Sequence, residues 1–153
     1  MPHLSKTAGY AVHALSFIGT TAPESCFVGD VALALGLPKP YLAQIVNQLM
    51  HEGLVTTKRG YLGGVGLARR PEEISLLEVV RAVEGDQPMS RCVFGLEKCC
   101  VNKKCPAHVP WNRMRKQIVV MLGRTMLSAV MESTALAQAS KSATRRATAA
   151  RRL

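Results

Sequence analysis

A chain of 153 residues, 48% hydrophobic and 20% charged, can bury one ordinary core, so a single globular domain with at most an appended arm is expected. Twenty Lys and Arg against ten Asp and Glu leave a formal charge of +10, which favours a polyanionic partner, either nucleic acid or an anionic membrane surface. The longest unbroken apolar run of the C-terminal half, Ile118 to Leu122, is far short of the ~20 residues a membrane span needs, so no membrane crossing is expected.

The stretch from Tyr10 to Ile18 is mildly apolar, but His13 and Ser16 interrupt it and TTAPESC is a poor cleavage site, so it does not read as a secretory signal. A cytoplasmic location is therefore expected, in which thiols stay reduced. Lys6 to Thr20 has Tyr10, Ala14, Phe17 and Ile18 at helical spacing. VGDVALALGL predicts a short second helix with Gly36 at its C-cap. In PKPYLAQIVNQLMHEGL the residues Tyr41, Leu42, Ile45, Val46, Leu49 and Met50 recur every three or four positions, and Gly53 closes a strongly amphipathic third helix.

Two helices joined by a tight glycine turn form a helix-turn-helix, whose second helix offers its N-terminal residues to the DNA major groove. Lys39, Tyr41, Gln44 and Gln48 are the candidates there. LVTTKRGYLGGVGLARRP then predicts a strand over Leu54 to Lys58, a glycine-rich tip and a return strand near Val65 to Arg69. A hairpin in this place is a wing. Lys58, Arg59 and Gly60 at its tip suit a phosphate backbone or a minor groove, because little side-chain bulk stands in the way.

In PEEISLLEVVRAVEG, Ser75 and Glu78 have capping-box spacing ahead of a stripe of Leu76, Leu77, Val79, Val80 and Val83, which reads as core. From Trp111 to about Ala137, the residues Trp111, Met114, Ile118, Met121, Leu122, Met126, Val130 and Leu136 trace one helical face broken by no proline. Such a helix would reach ~40 Å, more than a small domain covers, so its stripe is expected to meet a second copy. The last sixteen residues, QASKSATRRATAARRL, hold five basic and no acidic side chains and read as a disordered basic tail. The expected organisation is a DNA-binding domain over 1–85, a cysteine-rich loop over 86–110, a dimerisation helix over 111–137 and the tail over 138–153. The fold class is mostly α: a winged helix-turn-helix with a long C-terminal dimerisation helix.

CVFGLEKCCVNKKCPAH, residues 92–108, contains four of the five cysteines. An odd count in a chain with a real core argues against disulfide staples, and no base or oxyanion site accompanies a catalytic thiol, so no enzyme is expected. Six residues separate Cys92 from Cys99, five separate Cys99 from Cys105, and two separate Cys105 from His108. Zinc knuckles pair their ligands two to four residues apart; wider spacing suits a larger iron–sulfur cluster, in which histidine sometimes replaces a cysteine. Arg91, Lys98, Lys103 and Lys104 favour thiolate over thiol. Cys100 remains an alternative to Cys99 as ligand, and Cys26 reads as structural.

LSKTAGYAVHAL, LPKPYLAQIVNQLMHEGLV, KRGYLGGVGLARRPEEISLLEVVRAVEG and CVFGLEKCCVNKKCPAHVPW together resemble the IscR/NsrR family of bacterial winged-helix transcription regulators, over nearly the full chain to about residue 137. The resemblance implies a homodimer, operator binding through the third helix and wing, and an iron–sulfur cluster on Cys92, Cys99 and Cys105. Members sensing cluster supply hold [2Fe–2S] with a histidine, matched here by His108. Members sensing nitric oxide hold [4Fe–4S] with an acidic residue from the partner's first helix, where this chain reads KTAGY without a carboxylate. A second departure is Ala43, where members often carry an acid able to accept from cytosine.

The expected function is thus a dimeric regulator, a repressor, whose binding to a double-stranded DNA operator is controlled by a cluster, [2Fe–2S] favoured and [4Fe–4S] possible, that senses iron, redox or nitric oxide status. The alternatives are a cluster-free thiol redox switch and, from another class, a small iron–sulfur electron carrier.

Overall fold

The computed structural model describes residues 4–22, 25–59, 63–86, 92–94 and 105–134. The expectations for Gly60, Arg91, Lys98, Cys99, Cys100, Lys103, Lys104, Leu136 and the basic tail fall outside these residues.

Helix α1, Lys6–Thr20, starts where the Ser5 hydroxyl accepts from the Ala8 N–H at 3.1 Å. It turns Ala8, Ala11, Ala14, Leu15 and Ile18 inward. Three alanines on that face let α4, Leu76–Glu84, pack closely against it. Helix α2, Val28–Leu35, stops at Gly36, which takes the left-handed conformation (φ 64°) that glycine adopts without a Cβ penalty and donates its N–H to Ala32 and Leu33. Helix α3, Lys39–His51, begins one residue ahead of Pro40, where a missing N–H costs nothing. Leu42, Ile45 and Leu49 of α3 are fully buried, each a contribution of roughly 2 kcal/mol from apolar burial.

Strands β1, Val55–Lys58, and β2, Gly64–Leu67, form the antiparallel wing with Val55 opposite Leu67 and Lys58 opposite Gly64. Cys26 forms an isolated bridge with Val65, its N–H donating at 3.1 Å and its carbonyl accepting at 2.8 Å. A Cβ on Gly64 would lie 2.7 Å from that carbonyl oxygen, which is why the strand carries glycine there. After a short 3-10 turn, Pro71–Glu73, α4 opens with both halves of the Ser75–Glu78 capping box formed.

The expected single helix over 111–137 is instead two. Helix α5 runs His108–Arg124, and Thr125 is extended (φ −88°, ψ 118°). Residues 127–134 are helical again, forming α6. The break has a tertiary cause: Leu76 donates to the Thr125 carbonyl at 2.9 Å and Leu127 donates to the Ile74 carbonyl at 2.8 Å, pairing Ser75 with Met126. These bonds replace helical ones, so no local breaker was needed. The turn sends α6 back to the main core, where Leu127 is fully buried and Met131 packs beside it. A smaller cluster of Ala8, Val80 and Leu122 joins α1, α4 and α5. Helix α5 also starts earlier than expected, with Pro110 tolerated as its third residue because the first turn's N–H groups have no helical acceptors.

Candidate nucleic-acid interface and cysteine segment

With Leu42, Ile45, Val46 and Leu49 buried, α3 must present its opposite side to solvent, and Gln44, Asn47, Gln48 and His51 stand exposed there. Lys39 is exposed at the N-terminal end of the same helix. Asn47 and His51 belong to this polar face but were missed from sequence, although their spacing of three and four residues from Gln44, Gln48 and each other would have found them. Tyr41 is oriented differently from its neighbours. Its ring is half-buried and meets Tyr10 edge-on at 6.1 Å, and its hydroxyl lies 3.0 Å from the Thr7 hydroxyl. It anchors the start of α3 to α1, which sets the angle at which the exposed face is presented.

Lys58 ends β1 and Arg59 follows it, both exposed. The base of the wing is held from one side by the Cys26–Val65 bridge, and Cys26 is buried as a structural thiol. On the other side, Arg69 reaches from the end of the wing to Glu78 of α4 at 2.7 Å. Partial burial pushes the Glu78 carboxyl up. The hydrogen bonds from the Ser75 backbone, Arg69 and the Ser75 hydroxyl outweigh that effect and hold it below the ordinary glutamate value.

In the cysteine segment, Cys92 is buried and Cys105 half-buried, and both are free thiols. Cys105 lies just before α5, and its carbonyl accepts the His108 N–H at 3.0 Å. The side chain of His108 is half-buried, with its Nε2 atom 2.8 Å from the Asn112 amide nitrogen. Arg115 donates to the Asn112 oxygen and also stands over Trp111, 6.0 Å from the ring centre. Because Arg115 takes the amide oxygen, the amide nitrogen must donate to His108, so Nε2 offers a lone pair. A metal at Nε2 would have to displace the Asn112 amide from that lone pair; the imidazole and the thiols at 92 and 105 are donors of the kind an iron–sulfur cluster uses. The described residues therefore fit such a group in donor type. Among them no three metal-binding side chains are gathered into one cluster, and Cys99, the remaining expected ligand, lies outside them.

The helix-turn-helix, wing and following helices define a winged-helix regulator. The Rrf2 family model, described as an iron-dependent transcriptional regulator, matches residues 4–133, and the chain belongs to that family. It is 29% identical over 138 residues to the HTH-type transcriptional regulator IscR of Aliivibrio salmonicida, covering 90% of this chain and 82% of that one. Among solved structures it is similar to T. potens IscR (TM-score 0.71, 26% identity, 89% and 90% of the two chains). It shares its fold with CymR, the global cysteine regulator of B. subtilis (TM-score 0.74, 24% identity, 87% and 98%). The chain is accordingly a DNA-binding transcription regulator and not an enzyme. No helix among the described residues is long and apolar enough to cross a membrane.

Proposed function

We propose that this regulator acts as a homodimer whose grip on a palindromic operator depends on an iron–sulfur cluster held by Cys92, Cys99, Cys105 and His108. The observation that carries this reading is the start of α5, where Cys105 and His108 sit one turn apart, joined by the bond from the His108 N–H to the Cys105 carbonyl, with both residues half-buried. The family's description as iron-dependent supports it. Histidine at 108 and the absence of a carboxylate in KTAGY favour [2Fe–2S] over [4Fe–4S].

When bound, the cluster supplies a redox-sensitive cross-link between the segment after α4 and the start of α5. The chain's own residues do the rest. Lys39, Gln44 and Gln48 read the major groove, joined by Asn47 from the same face, while Lys58, Arg59 and Gly60 of the wing hold the backbone or minor groove. Tyr41 contributes through its hold on Thr7 and Tyr10. Met114, Val120 and Met121 of α5 are about half exposed, forming an apolar stripe that a second copy would cover. Dimerisation there places two α3 helices on successive turns of the duplex. The cytoplasm is the compartment in which such a regulator meets DNA.

A second reading, a thiol switch without a cluster, draws on the free thiols of Cys92 and Cys105 and on the likeness to the cysteine regulator CymR. One experiment separates them. Protein isolated without air is assayed for iron, sulfide and visible absorbance, and its affinity for an operator selected from a random duplex pool is measured before and after cluster removal. Brown protein with stoichiometric iron, bleached by His108→Ala and by Cys92→Ala, is expected. Colourless protein whose DNA affinity responds only to thiol oxidants would overturn the cluster in favour of the switch.

A further inference from the structure

The end of the wing is tied to the frame at one polar node. Arg69, two residues beyond β2, sends one guanidinium nitrogen to the Glu73 carbonyl at 3.3 Å and the other to Glu78 Oε1 at 2.7 Å. Glu78 divides its carboxylate, because Oε2 accepts from both the N–H and the hydroxyl of Ser75 at 2.9 Å. Ser75 in turn stands opposite Met126, in the bridge that joins the start of α4 to the α5–α6 break. One carboxylate thus links the wing, the cap of α4 and the joint of the C-terminal helices. A fork with two nitrogens facing two separate acceptors is work for arginine rather than lysine.

Away from its core-packed base, the wing faces a groove on one side. A groove of about 550 Å³ separates Thr56, Lys58 and Gly66 on the wing from Ile18, Gly19 and Ala22 around the end of α1. Val55 and Val65 anchor the base of the hairpin in the core, with Leu67 packed against it; beyond the Cys26 bridge, the Arg69 tie is the polar contact that fixes its end.

We infer that Glu78 is a positioning residue for operator binding: through Arg69 it holds the wing at the angle from which Lys58 and Arg59 reach DNA. The inference rests on the reading that the wing contacts the operator. It also makes a prediction opposite in sign to simple electrostatics. Glu78 is acidic and Arg69 basic, so if Arg69 were an ordinary phosphate contact, removing the Glu78 charge would release it and tighten binding. If Glu78 positions the wing, removing its charge weakens specific binding.

The test uses the full-length dimer and the selected operator, with a random-sequence duplex of equal length for comparison. Glu78→Gln keeps a side chain that still serves the capping box, so α4 should stay folded. With the pair 39% and 42% exposed, the expected loss of specific affinity is modest, about three- to fivefold, with nonspecific binding unchanged. Arg69→Gln should give the same loss, Arg69→Lys a smaller one, and the double variant Arg69→Gln/Glu78→Gln no more than either single change. Tighter or unchanged specific binding by Glu78→Gln, or additive losses in the double variant, overturns the inference. Should Glu78→Gln lower the melting temperature by more than a few degrees, Arg69→Gln and Arg69→Lys, which lie outside any helix, decide alone. Lys58→Ala/Arg59→Ala tests the underlying reading: if it leaves operator affinity intact, the wing is not a contact and the positioning role goes with it. Loss there together with unchanged binding by the Arg69 and Glu78 variants rejects the positioning role only.

Discussion

Glu78 illustrates how one side chain gathers tasks that the sequence lists separately. Its capping role follows from the Ser75 spacing, but its contact with Arg69 spans nine residues and a 3-10 turn. Because its carboxyl is held below the ordinary value, the carboxylate stabilises the fold fully above the unfolded glutamate pKa, and this contribution is lost as pH falls through the lowered folded value. Wild-type protein should therefore lose stability more steeply than Glu78→Gln below about pH 4.5, a difference that urea melts across that range would register. Glycines give a second contrast. At Gly64 a methyl group meets the backbone of Cys26, whereas at Gly19 it meets the end of the flexible Met131 side chain at 2.8 Å. Gly64→Ala should cost roughly 1–3 kcal/mol and Gly19→Ala clearly less, as measured by chemical denaturation.

Helices α5 and α6 behave as two parts with different partners. The first leaves Met114 and Met121 half exposed, while the second buries Leu127 completely within its own chain. Leu127→Ala should accordingly destabilise the protomer by about 2–5 kcal/mol. Met121→Asp should leave the protomer's fold intact and shift the dimer toward monomer in sedimentation experiments. If Met121→Asp remains a full dimer, the α5 stripe is not the subunit contact. On α3 the same logic assigns opposite roles to adjacent residues. Leu42 is core, while Gln44 is exposed and free to meet a base edge, so Gln44→Ala should lower operator affinity with little change in melting temperature.

Taken together, the parts arrange two chemistries on one frame. The exposed α3 face and wing tip lie in the N-terminal half, and the cysteine segment lies between α4 and α5. The two helices flanking that segment pack against each other and meet again at the Ser75–Met126 bridge. Through Ser75 and Glu78 that bridge also adjoins the Arg69 tie at the end of the wing. The +10 formal charge predicts a steep dependence of DNA affinity on salt. Lys58→Ala/Arg59→Ala should flatten that dependence, by up to about 0.9 in log–log slope for each phosphate contact removed.

Much of this molecule was legible along the chain. The left-handed cap at Gly36, the Ser75–Glu78 box, the buried stripe of α3 and the wing hairpin each depend on residues a few positions apart, whose mutual geometry the backbone period dictates. The wide cysteine spacing and the family resemblance likewise belong to the sequence. Tyr41 turning to Thr7, Arg69 finding Glu78 and the α5–α6 break at Thr125 were not legible. The stripe from Trp111 to Val130 keeps helical spacing across the break, so periodicity alone predicts continuity. What interrupts it is a pair of backbone hydrogen bonds to residues some fifty positions earlier. Such bonds form only when the packed core brings distant segments into register, and no local pattern carries that information.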